Sequence, residues 1–425
     1  MPAWVRGAVG AAGLLTVVGT TALLALDSAK GTNRFVDDGH AVPHALLGPL
    51  AGLGNTLYQP RFYALLIVMS VGYAAVVWAN ALSGKVVAAG IVVANLIAFI
   101  GPPITSDVFS YLDYARMGAL HGVNPYIHGP ASVHHDLAFP YVGSMWKHTA
   151  SAYGPLWTVA SYPAAFLGLL GGVWFLKGIA FVSCLAIVAL TAACAKRYGR
   201  DPLRAALLVG ANPLMIVFGV QGGHNDLPML ALMMLGVFFG LRGLEGRGAA
   251  SVVIGAAIKA PAIVVLPFML LQSRERRRVV VGAAIAAAAV ALIGLVAFGT
   301  HAAGFIGVVS RQQRLLDQNS FAQEVAHLFG AQQVSAGGRL VLQGLLACLI
   351  VYLLVRVWRG ADWVAGAGWA LLASAVVTTW LLAWYTIWAL PLAAVSRDRR
   401  LLIATLFIEA VYLYHRLPTP LQVGF

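Results

Sequence analysis

Apolar runs of near-spanning length recur along the 425-residue chain, at residues 7–26, 61–80, 86–100, 175–195, 205–220, 227–241, 279–298, 340–354, 363–381 and 401–414. About 20 helical residues cross a bilayer, so the pattern predicts an all-α polytopic membrane protein. Three further stretches are settled by the basic clusters around them. Residues 153–170 are apolar enough to span, but that would put Lys196, Arg197 and Arg200 outside and invert every later cluster. They are therefore laid in the outer interface, as a helix in the membrane plane. Residues 251–272 lie between Arg242/Arg247 and the 274–278 cluster, so they read as a hairpin of two short helices broken at Lys259-Ala260-Pro261. Residues 363–395 lie between Arg356/Arg359 and Arg397/Arg399/Arg400, and should cross and return with a turn near Trp384-Tyr385. The result is one transmembrane domain over residues 1–425 with about 13 spans, N-terminus inside and C-terminus outside. The first run follows Arg6 and reads as an uncleaved first helix.

Composition agrees. The chain is 60% hydrophobic and 10% charged, with mean hydropathy +0.82, whereas soluble domains carry about 25% charge. The net charge of +13 does not point to nucleic acid, because most of the Lys and Arg sit in short clusters between apolar runs, as membrane topology requires. With this topology 17 of the 28 Lys and Arg fall inside, and all 11 histidines fall outside. Outer segments are long, at residues 27–60, 102–177 and 299–338. Function tends to sit on loops held by a rigid scaffold, so the outer face is the active one. Within it, residues 104–174 form an outer loop with interfacial helices, and 299–338 an outer flexible loop. Cys184, Cys194 and Cys348 lie in apolar runs without metal-ligand spacing. There is no GxxxxGK[ST] phosphate loop and no inner domain able to bind a nucleotide sugar.

The segment after the 86–100 run carries the most chemistry. Gly101-Pro102-Pro103 breaks the run, and Asp107 opens an amphipathic aromatic stretch. Ionisable groups at the membrane rim are expensive and usually functional; a helix-capping Asp among interfacial tyrosines is the structural alternative. Asp107, Tyr111 and Tyr114 share a helical face. Asp113 and Arg116, three apart, can pair. Gly122-Val123-Asn124-Pro125-Tyr126 ends the helix.

The run SDVFSYLDYARMGALHGVNPYIHGP, followed by AYGPLW, GGHNDLP and WYTIWALPL, resembles the polyprenol-phosphate-mannose-dependent mannosyltransferases of actinobacteria. These belong to the GT-C superfamily, and the branch most similar is the α-1,6-mannosyltransferases of lipomannan synthesis. The resemblance spans roughly residues 86–400. It implies a GT-C-type bundle with outer-face interfacial helices in the bacterial plasma membrane. It also implies Asp107 as catalytic base, a polyprenyl-phosphate-mannose donor, and a mannolipid or glycan acceptor. One departure concerns paired acids after the first span: here Asp37-Asp38 stand there, which makes Asp37 a rival base.

The chemistry asked of such an enzyme is simple. A lipid phosphate is already a leaving group, so the protein must take the acceptor's proton on a carboxylate and meet the departing phosphate with cations or N–H groups. One displacement inverts the anomeric centre. Candidates for the phosphate are Lys259, alone in its hairpin, Arg311 and Arg314 in the long outer loop, and His224. Candidates for sugar or acceptor are Tyr111, Asp113, Arg116, Asn124, Tyr126, Tyr153, Asn225, Asp226, Trp384 and Tyr385. Each has a plain alternative: a polar turn for 224–226, a snorkelling or Asp-paired Lys259, aromatic belts for the tryptophans and tyrosines. No cofactor and no metal are expected, although His134-His135-Asp136 could hold a divalent ion. Glu409, in the last run, is expected to pair with Lys or Arg inside the bundle. The alternative functions are a transporter or flippase of lipid-linked sugars, a non-catalytic assembly partner, or transfer of another sugar such as arabinofuranose.

Overall fold

The computed structural model describes residues 2–30, 44–47, 50–55, 57, 59–318 and 320–415. Asp37 and Asp38 lie outside the described residues. Those that are described contain helices and no strand. Helix α1 (Ala3–Ser28) lies along α2 (Gln59–Ala79). They meet so closely that a Cβ on Gly13 would stand 2.6 Å from the Gly72 carbonyl oxygen, the close approach that small residues permit between membrane helices. Helix α3 (Gly84–Ile100) starts at Ser83, whose hydroxyl accepts from the Val86 amide, and stops at the Gly-Pro-Pro break. Then follow α4 (Asp107–His121), α5 (Pro155–Ala165) and the 30-residue α6 (Gly168–Arg197).

Helix α7 (Pro202–Gly210) is capped by Asp201 and bends by 61° into a π-helical segment, Met215–Gln221. Asn212 stabilises the bend by accepting from the Leu214 and Met215 amides. Its own amide donates to Glu409, 2.8 Å away. The buried glutamate is thus held by an amide, where a Lys or Arg partner was expected. Helices α8 (Asp226–Leu241) and α9 (Glu245–Ala256) follow. The predicted hairpin break then falls at Lys259, before a short turn Ala260–Val264 and α10 (Val265–Gln272). The chain continues through α11 (Arg276–Phe298), α12 (Gly304–Gln312), α13 (Phe321–Leu328), α14 (Ala336–Trp358) and α15 (Trp363–Val377). It closes with α16 (Leu390–Val395) and α17 (Arg399–His415).

Among the described residues, five helices are long and apolar enough to cross a membrane, six if the bent pair counts as one span. The chain is thus a polytopic membrane protein. The remaining apolar runs fold into helices of 10–17 residues or are broken, so length and composition alone support fewer spans than the 13 read from the runs. The turn expected at Trp384-Tyr385 comes earlier. Helix α15 ends before Thr378, and Trp384 and Tyr385 lie inside a helical turn, Ala383–Trp388. The reason is Thr379, whose hydroxyl bonds the carbonyls of Gln313 and Leu315 and pins the break there. Outside, α11 and α14 expose rows of Ile, Val and Leu, among them Ile285, Val296 and Leu340, a surface suited to lipid. The core lies around residues 205–210 of α7, the π-helical segment and α16, which are buried throughout.

Candidate functional site

A cavity of about 1000 Å³ opens between four chain breaks: 105–107, 143–154, 259–264 and 374–388. Its far side is α12, the chain up to Gln318, and α14. Asp107 is on its wall because two prolines, which cannot continue a helix, stop α3 just before it. As the first residue of α4, Asp107 sits where a helix N-terminus favours negative charge. The turn that carries it is clamped from behind. Lys177, wholly buried in α6, donates to the carbonyls of Ala98 (3.3 Å) and Gly101. Gln221 donates to Pro102 O and to Ser28 Oγ, both at 3.1 Å.

The π-helical segment delivers the second part. Gly223 has φ +71°, the left-handed region that favours glycine, and the turn it makes leaves His224 with no exposed surface. The imidazole stacks on Trp384, ring centroids 3.7 Å apart. Its Nε2 lies 3.2 Å from Thr105 Oγ1 and its Nδ1 3.4 Å from Asp107 Oδ2. The second contact is longer and less well aligned than an ordinary hydrogen bond, and Nδ1 has no hydrogen-bond partner among the described residues. Asn225 accepts from Tyr111 OH at 3.3 Å. Asp226, fully buried, accepts from Lys259 Nζ at 2.7 Å and from Trp388 Nε1 at 2.6 Å. Lys259 reaches the cavity with its ammonium 4.9 Å from the Tyr385 ring centre and 5.8 Å from that of Trp388. Asp107, Tyr153, Lys259, Trp384, Tyr385 and Trp388 thus share one wall.

Other sequence candidates stand elsewhere. Tyr111 is buried behind the wall, edge-on to Tyr153 and Trp157. Asn124 donates to Phe298 O at 2.9 Å and accepts from the Tyr126 amide; Tyr126 OH bonds Tyr153 O and Thr158. Both tie the 122–126 turn to α5 and α11 and neither lines the cavity. The expected Asp113–Arg116 pair does not form. Arg116 Nε instead meets both oxygens of Asp136, at 2.8 and 2.9 Å, and its Nη1 meets Ala165 O. The Asp136 carboxylate is the better partner because His121 and the Ala138 amide already converge on it. Burial alone would raise the Asp136 carboxyl, but these hydrogen bonds, Arg116's foremost, hold it below the usual carboxylate range. Asp113 keeps no hydrogen-bond partner among the described residues. Burial pushes its carboxyl up to about 8, nearby Asp136 adding to the rise and Arg116 opposing it.

Arg311 and Arg314 are exposed and off the wall, while Gln312 and Gln313 between them line it. The rings of His134 and His135 pack together at a 50° tilt, 3.7 Å between centroids, and Asp136 is taken up by Arg116 and His121. Two cations escaped the sequence reading. Lys177 looked like the end of an outer loop, and only its lone position among apolar residues marked it. Arg339, half-buried in the first turn of α14, lines the cavity with Gln343 one turn on. A basic residue at the outer mouth of an apolar run was the available signal.

Residues 17–275 match the family described as alpha-(1->6)-mannopyranosyltransferase, N-terminal domain, and residues 322–424 match the MptB C-terminal domain. An alpha-(1->6)-mannopyranosyltransferase of Mycobacterium tuberculosis is 38% identical over 162 residues, covering 34% of this chain and 26% of that protein. Alpha-(1->6)-mannopyranosyltransferase A of the same organism is 26% identical over 335 residues, 72% of this chain and 64% of the relative. Its namesake in Corynebacterium glutamicum is 28% identical over 178 residues, 40% of this chain and 35% of the relative. The matched part of this chain thus spans less than two thirds of the length of each relative. No solved structure matches. The N-terminal match covers more than half of the chain and takes in Asp107, His224 and Lys259, and the chain belongs to the alpha-(1->6)-mannopyranosyltransferase family.

Proposed function

We propose that the protein moves mannose from a polyprenyl-phosphate donor to a hydroxyl of a glycolipid or polysaccharide acceptor, at the outer face of the membrane, with inversion. The observation that carries this reading is the shared wall: an acid, Asp107, and a cation, Lys259, face one cavity with Trp384, Tyr385 and Trp388 beside them. In the reaction the acceptor oxygen bonds to the anomeric carbon as the bond from that carbon to the phosphate oxygen breaks. The electron pair leaves on the phosphate. The hydroxyl proton passes to Asp107, a step a positioned carboxylate accelerates by roughly 10²–10⁴. Lys259, held by Asp226, meets the phosphate charge, with Arg339 as the second cation of the cavity. The indole and phenol faces offer the flat apolar surface on which a sugar ring stacks. The names of the relatives support mannose as the sugar and α-1,6 as the linkage. No step calls on a metal ion, and chelator treatment is expected to leave transfer intact.

The test uses full-length protein in lipid, radiolabelled polyprenyl-phosphate-mannose and mannolipid acceptors. Asp107→Asn is expected to abolish transfer while donor binding and the melting temperature stay near those of the parent. Parent-like turnover in that variant removes Asp107 from the mechanism.

A further inference from the structure

We infer that His224 is a positioning residue that holds the Asp107 carboxylate in its reactive orientation, with Thr105 as the third member of the chain. The inference rests on Asp107 being the base. A ligand-binding role for His224 is opposed by its burial: the imidazole has no exposed surface and lies behind Asp107 and Trp384, off the cavity wall. Both its nitrogens already face protein groups, Nε2 toward Thr105 Oγ1 and Nδ1 toward Asp107 Oδ2.

The chemistry of the neighbours assigns the hydrogens. A carboxylate only accepts, so the ring hydrogen belongs on Nδ1, on the side of Asp107. Nε2 is then an acceptor, and the Thr105 hydroxyl donates to it. Thr105 thereby selects the tautomer that donates to Asp107, much as an outer partner fixes the tautomer of a metal-bound histidine. The stack on Trp384 sets the ring plane, and Gly222 and Gly223 let the backbone pass beneath: a Cβ on Gly222 would stand 2.9 Å from the imidazole. The carboxylate needs this support. It is at the cavity rim with 13% of its side chain exposed, and a misplacement of about 1 Å costs roughly 100-fold in rate. At 3.4 Å the Nδ1 contact is longer than an ordinary hydrogen bond, and catalytic contacts of this kind often shorten in the substrate complex.

The test separates this role from that of a packing ring. Asn places its amide N–H near the position of imidazole Nδ1 but cannot stack; Phe stacks but cannot donate. His224→Phe is expected to lower kcat about 10- to 100-fold with both KM values within about twofold, and His224→Asn to retain at least fivefold more activity than His224→Phe. Thr105→Val should lower kcat in the same direction, and Thr105→Ser should recover most of it. Melting temperatures in detergent accompany each variant, and if His224→Phe does not fold, the Thr105 pair carries the test. Equal or better activity in His224→Phe than in His224→Asn overturns the inference in favour of packing. A raised donor KM at unchanged kcat overturns it in favour of ligand contact. Asp107→Asn and the double variant Asp107→Asn/His224→Phe should be equally inactive. An active Asp107→Asn sinks the functional proposal itself, whereas an inactive one beside an unimpaired His224→Phe sinks only this inference.

Discussion

The two sides of the cavity are built differently. On the Asp107 side the key side chains are fixed by partners drawn from distant parts of the chain: His224 by Thr105 and Trp384, Lys259 by Asp226, and Asp226 in turn by Trp388. On the opposite side, Gln312 and Arg339 are half-buried, Gln313 is exposed, and α14 packs mainly against α15 and α10 with most of its surface outward. Arg339 there donates only a 3.3 Å bond to the Val334 carbonyl, which leaves most of its five N–H donors available. Proton transfer and charge stabilisation need geometry set in advance. Recognition of a long, variable lipid or glycan tolerates looser side chains. In the proposed mechanism the first side does the chemistry and the second receives the substrates.

The strongest way to break this contrast is at Asp226. Asp226→Ala leaves the Lys259 ammonium without its buried partner, a change that typically costs about 3–5 kcal/mol; loss of transfer together with a clearly lower melting temperature is expected. Lys259→Met should do similar damage by stranding Asp226. Adding Asp226→Asn should recover the melting temperature but not donor affinity, and recovery of both would make Lys259 a packing residue. On the opposite side, Arg339→Ala should raise donor KM about tenfold, the value of one charge-assisted hydrogen bond, with kcat changed less than about threefold and stability unchanged. A kcat effect larger than the KM effect would move Arg339 to the chemical side. Gln343→Ala should change donor KM by no more than about twofold.

The smallest effect concerns Asp113. Its carboxyl is raised by burial to about 8 in the folded protein, above its unfolded value near 4, so the fold binds the proton more tightly than the unfolded chain does. This group therefore makes stability fall as pH rises from about 4, levelling off above about 8. Asp113→Asn, which mimics the neutral acid, should raise the melting temperature at pH 8 more than at pH 5. A pH-independent difference would show the carboxyl ionised throughout.

Much of this was readable in the chain. Apolar period and proline placement located the long helices, the break at Lys259 and the turn that carries Asp107, but not α12 and α13, which fold within the 299–338 loop. The basic clusters on either side of 251–272 led to two short helices with a break at Lys259, and the chain breaks there. What failed was pairing over distance. Arg116 was matched to Asp113 by helical spacing, yet Asp136, twenty residues on, is the carboxylate on which His121 and the Ala138 amide also converge. Glu409 was assigned a cation and found Asn212, from a helix nearly two hundred residues earlier. His224 was read as a ligand because it lies in a polar turn. Only the fold shows that the turn is buried, with Nε2 against Thr105 and Nδ1 turned to the Asp107 side.

The π-helical segment ahead of that turn has a consequence for inheritance. Such a segment is an α-helix carrying an inserted residue, and each residue advances an α-helix by about 100°. A deletion between Met215 and Gln221 that a change of winding did not absorb would rotate 222–226 by about a quarter turn. His224 would swing away from Asp107, and Asp226 from Lys259. Exchanges among apolar side chains are tolerable there, whereas a change of length is tolerable only where the winding absorbs it and returns 222–226 to the same face.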